Sequence, residues 1–91
     1  MKLTKSKRCT DWFIRTCARV AATEGLITVE FTLRYDGENE PNGRRTGDIT
    51  RYRETCYGGL VMVGRIRRAL DGGMTDAEGI PMNVVGLDFE F

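Results

Sequence analysis

The chain has 91 residues, of which 41% are hydrophobic and 30% charged, with a formal charge of +1, enough for one small folded domain over 1–91 and no second. It contains no histidine, which speaks against Ser-His-Asp and Cys-His nucleophile systems and against most catalytic zinc sites, since all need a group that titrates near neutral pH. The longest apolar run, Leu60-Val61-Met62-Val63, falls far short of the about 20 residues a membrane helix needs, so the expectation is a non-enzymatic cytoplasmic protein without cofactor, metal or membrane.

Residues 1–8 form a basic tail. They have the charge of a signal peptide's first part, but Asp11, Arg15 and Arg19 interrupt the apolar stretch that should follow. Cys9, Cys17 and Cys56 are odd in number and contain no C-x-x-C pair, so they are expected as reduced thiols rather than a disulfide framework or a metal site. Cys17 and Cys56 fall on apolar stripes at helical spacing and are expected in the core. Cys9 stands in a basic stretch but has no base beside it in the sequence.

Over residues 10–23 the spacing favours a helix with Phe13, Ile14, Cys17, Ala18, Val20 and Ala21 on one arc, closed by Gly25. A strand with Trp12, Ile14, Ala18 and Val20 on one face, turning at Thr23-Glu24-Gly25, also fits. From Leu26 to Tyr35, Ile27, Val29, Phe31, Leu33 and Tyr35 alternate with polar residues, the period of a half-buried strand. Residues 36–47 then read as an exposed polar loop. Glu54 to Leu70 predicts a helix with Cys56, Leu60, Val63, Ile66 and Leu70 buried, weakened by Gly58, Gly59 and Gly64 and stopped by Asp71-Gly72-Gly73. The last nine residues repeat the strand signal, with Val85, Leu87, Phe89 and Phe91 on one face. The fold class that follows is α+β: a small antiparallel sheet with one or two helices packed on one face, in αβ(β)αβ or ββαβ order.

The net charge hides a segmented pattern: residues 1–23 carry +5, 24–40 carry −4, 41–70 carry +5 and 71–91 carry −5. Such blocks pair across a fold or make a surface with distinct poles. Gly59 to Ile66 has the glycine spacing of a phosphate-binding loop, but Arg65 and Ile66 replace the lysine and hydroxyl residue, and an amphipathic helix explains the run. Asp36 to Gly47 alternates oxygen ligands like a calcium loop, yet Pro41 stands where glycine is needed and Gly47 where a bidentate glutamate is needed. A solvated turn accounts for it.

Eleven of the fourteen basic residues are arginine. Arg44, Arg45, Arg51 and Arg53 cluster with Tyr52 and Tyr57, which suits nucleic acid, where guanidinium meets phosphate and the ring stacks on a base. A sequence pI near 7.7 and the acidic blocks weigh against that use. On the expected helix Tyr57, Val61, Arg65 and Arg68 face away from the apolar stripe, and tyrosine and arginine are frequent anchors of protein interfaces. The expected binding surface therefore comprises Arg44, Arg45, Arg51, Arg53, Tyr57, Val61, Arg65 and Arg68. Its partner is expected to be a host protein or protein complex, with nucleic acid as the alternative, and an edge of the small sheet could pair with a second copy. In size, charge polarity and lack of catalytic groups, the chain resembles short proteins of phages and mobile elements, including anti-CRISPR-type inhibitors. That resemblance implies action by covering a surface of a host complex, and no motif carries it.

Overall fold

Thr10 begins the first element by using its side chain as a cap: its Oγ1 accepts a hydrogen bond from Phe13 N at 3.3 Å. The computed structural model describes Thr4 and residues 10–91; the rest of the basic tail and Cys9 lie outside the described residues. Helix α1, Asp11–Ala22, buries Phe13, Cys17 and Val20, the i, i+4, i+7 stripe of a helix against a core. Helix is thus the outcome for residues 10–23. The buried arc is narrower than expected, because Ile14 is 57% exposed and Ala18 faces solvent.

Strand β1, Leu26–Arg34, follows its alternation faithfully, with Ile27, Val29, Phe31 and Leu33 at most 1% exposed. It is an inner strand of the sheet and pairs antiparallel with β2, Ile49–Tyr57, on one side. β2 fills the optional second strand of the αβ(β)αβ order, for which the sequence offered no range. None of its residues is fully buried, so no apolar alternation marks it; only its β-branched and aromatic content does.

Helix α2 runs over Leu60–Gly72, which corrects the helix expected from Glu54. Residues 54–57 belong to β2, and Gly58-Gly59 turn the corner instead of weakening the helix. Cys56 is therefore half-buried on a strand, and Leu60, expected in the core, is 79% exposed. The stripe that is buried consists of Met62, Val63, Ile66, Ala69 and Leu70.

After the two-residue strand β3, Met74–Thr75, β4 spans Pro81–Glu90 and completes an antiparallel sheet in the order β2-β1-β4-β3. A bulge separates the pairs Thr32↔Gly86 and Leu33↔Val84, so Val85 is the extra residue and Val84, not Val85, joins Leu87 among the buried residues. The result is a small α+β fold with the expected αβ(β)αβ order, extended by β3. Buried residues of α1, β1, α2 and β4 form one hydrophobic cluster, with Phe89, Cys56 and Met74 packed against it. Among the described residues no helix is long and apolar enough to cross a membrane.

Candidate functional site

The polar loop after β1 is held at both ends. Tyr35 donates its hydroxyl to Asn39 O at 2.7 Å, while Tyr35 N bonds Asp48 O and Gly47 N bonds Tyr35 O. The N–H of Arg45 bonds the Asp48 carboxylate at 2.9 Å, and Asp48 N returns to Arg45 O. Arg45 itself is exposed. Arg44 turns inward, with Nη2 2.5 Å from Asp76 Oδ2 and side chains 16% and 3% exposed respectively. Asp76 in turn accepts from Glu78 N and Ile80 N. These backbone donors, Ile80 first, together with Arg44 hold its carboxyl below the ordinary value. Arg44 thus serves the fold rather than an open surface.

β2 places its odd-numbered side chains on the sheet face opposite the buried residues of β1. Arg51 lies 4.0 Å from Glu30 and Arg53 2.9 Å from Glu90; Thr28 and Thr55 share a hydrogen bond between them. The same face carries Arg34, paired with Asp36 at 2.6 Å, and Asp36 also accepts from Asn83. The Arg34 guanidinium and Asn83 hold the Asp36 carboxyl low. Three arginines on this face therefore pair with Asp36, Glu30 and Glu90, and Asp88 lies on the same face opposite Glu30, a balanced mosaic rather than a basic stripe. On the other face of β2, Glu54 accepts from Tyr52 and pairs with Arg65 at 2.8 Å.

The corner between β2 and α2 is built by a glycine pair. Gly58 N bonds Gly25 O at 3.1 Å and Gly59 N bonds Val20 O at 2.8 Å, so the corner satisfies a carbonyl in the last turn of α1. The approach leaves no room for a side chain: a Cβ on Gly58 would lie 2.5 Å from Thr23 O and 2.8 Å from Val20 O. Gly59 has φ 114° and ψ −179°, backbone open essentially to glycine alone. Against this fixed corner stand four large apolar side chains: Leu26 at 58% exposure, its cross-strand partner Tyr57 at 71%, Leu60 at 79% and Val61 at 85%. Arg68 is exposed further along α2.

The eight residues expected to form one surface are thus divided. Tyr57 and Val61 flank the Gly58-Gly59 corner and are both exposed, Arg51 and Arg53 line β2, Arg44 and Arg65 are tied to carboxylates, and Arg45 and Arg68 stand apart. Leu26 and Leu60 were missed. The signal that could have found Leu60 was Gly58-Gly59, which makes a corner and so moves the helix start to Leu60.

Burial pushes both Cys17 and Cys56 thiols up, away from the thiolate a nucleophile or soft-metal ligand requires. Among the described residues no three His, Cys, Asp or Glu side chains gather as metal donors. No family model, curated protein or solved structure matches the chain.

Proposed function

We propose that the chain is a non-enzymatic protein-binding module that covers a surface of a host protein complex, docking through Leu26, Tyr57, Leu60 and Val61. The observation that carries this reading is the exposure of all four side chains beside a backbone corner closed by the Gly58 N–Gly25 O and Gly59 N–Val20 O hydrogen bonds. An apolar centre on a rigid support suits a protein interface, because little ordering cost opposes binding. The action is occlusion, as in small phage inhibitors, and it needs no reacting group. Nucleic acid is the weaker reading, because Arg44 and Arg65 are tied to Asp76 and Glu54 and Arg51 and Arg53 alternate with Glu30, Asp88 and Glu90 on their face, which leaves no continuous basic track for a phosphate backbone.

The test is capture from a nuclease-treated bacterial lysate at about 200 mM salt, where phosphate-driven binding is much reduced. The wild-type chain, tagged at Met1, is compared with a chain carrying L60S and V61S. A stoichiometric partner held by the wild type and weakened at least about tenfold in the variant is expected. The melting temperature should change little, since both side chains are exposed. Equal capture by the two chains would remove the corner from the interface; recovery of nucleic acid alone when nuclease is omitted would replace the protein reading.

A further inference from the structure

β2 is an edge strand whose free side is set by the hydrogen-bond phase. Tyr35 N bonds Asp48 O before it and Gly58 N bonds Gly25 O after it, and directly opposed residues of an antiparallel pair alternate between bonded and unbonded. The even-numbered residues Thr50, Tyr52, Glu54 and Cys56 therefore turn their backbone groups toward β1. Ile49, Arg51, Arg53, Thr55 and Tyr57 turn theirs away, and among the described residues no strand pairs with that side. We propose that this edge accepts an extended segment of a partner protein as an added strand, and that the segment carries an acidic-apolar-acidic triplet.

The triplet follows from what the edge presents. Residues of an added strand opposite Arg51 and Arg53 are two apart and share a face with them. The arginine side chains are 66% and 57% exposed, and the nearest carboxylate oxygens of Glu30 and Glu90 lie 4.0 Å and 2.9 Å away. A guanidinium has five N–H donors, so each arginine retains donors for a second carboxylate. The residue between the two acids falls opposite Tyr52 on the other face. There an open groove of about 380 Å³ is lined by Tyr52, Arg65, Met74, Thr75, Asp76 and Ala77, with the Tyr52 ring and Met74 offering apolar contact to a side chain of moderate size.

A second copy of the chain suits this edge poorly. Two-fold pairings of β2 with itself that overlap most of the strand place Arg53 opposite Arg53, Arg51 opposite Arg53, or Glu54 opposite Glu54, and like charges directly opposite are unfavourable. An acidic segment turns the same arginines from a barrier into a selection device.

The inference rests on the protein-binding reading but uses different residues, so the two fail separately. The probe is a capped threonine-rich nonapeptide with a central Glu-Val-Glu, compared with the same peptide carrying Lys-Val-Lys, each at about 1 mM to detect weak binding. Amide hydrogen exchange of the full chain is read by NMR. With the acidic peptide, exchange should slow at Arg51, Arg53 and Thr55 but not at Tyr52 or Glu54, whose amides already bond β1, and the basic peptide should have no effect. In a chain carrying R51E and R53E the preference should reverse. Unprotected odd-numbered amides, or equal protection by both peptides, would overturn edge docking. Protection without peptide, together with dimers in sedimentation, would overturn it in favour of self-pairing. Where edge docking is overturned in either way, a partner still captured through Leu60 and Val61 by the R51E and R53E chain would leave the protein-binding reading intact.

Discussion

At the scale of single residues, Gly58 joins three elements where no other residue fits. Its missing side chain lets the end of β2 meet the end of α1 backbone to backbone, which fixes the direction in which Leu60 and Val61 enter α2. G58A forces a methyl group to within 2.5 Å of Thr23 O, an overlap with backbone that no rotamer relieves. The expected cost is about 1–3 kcal/mol, a fall in melting temperature of at least about 4 °C for a chain of this size. Gly25 supplies the control, since nothing lies within 4 Å of a Cβ there and its φ is not in the left-handed range; G25A should be neutral or slightly stabilising. Equal melting temperatures for G58A and the wild type would show that the corner yields, and would remove its rigidity as support for docking.

At the scale of elements, β4 closes both the sheet and the core. Residues 87–91 bring Leu87, 3% exposed, Phe89 against Trp12 with ring centroids 6.4 Å apart, and Phe91 beneath the Arg19 guanidinium at 3.9 Å. They also supply the partners of Thr28 to Phe31. Deleting residues 87–91 should abolish the cooperative thermal transition, and a sharp transition in the truncated chain would refute this. The elements legible in the sequence are those that bury one face: β1 and β4 by their alternation, α1 by its i, i+4, i+7 stripe, and α2 from Leu60 onward by Val63, Ile66 and Leu70. β2 was illegible because both of its faces carry polar side chains at a sheet edge. Cys56 and Leu60 misled for a related reason, as their spacing matches a helix while one sits on a strand and the other on the turn that follows it. The site divides likewise: Tyr57 and Val61 were readable as outward residues, whereas the pairing of Arg44 with Asp76 depends on topology and no local pattern announces it.

At the scale of the whole molecule, the charge blocks pair across the fold. The basic segment 41–70 reaches the acidic segments through Arg51 to Glu30, Arg53 to Glu90 and Arg44 to Asp76. The last of these ties the loop before β2 to the turn between β3 and β4, thereby joining the two ends of the sheet order. Because Ile80 N, Glu78 N and Arg44 hold the Asp76 carboxyl below its ordinary 3.8, the folded state binds its proton less readily than the unfolded chain. A carboxyl with a depressed folded pKa contributes stability above the unfolded value, and this contribution is lost as pH falls through the folded value. Asp36, held low by Arg34 and Asn83, acts in the same direction, so the chain should lose melting temperature on acidification below the ordinary carboxylate range. D76N isolates the share of Asp76: asparagine keeps an oxygen for the two backbone donors but loses the charge that faces Arg44. The gap in melting temperature between wild type and D76N should be widest at neutral pH and narrow progressively as pH falls below 3.8. A gap that stays constant through that range would mean that the Asp76 charge contributes nothing and that its hydrogen bonds alone hold the turn.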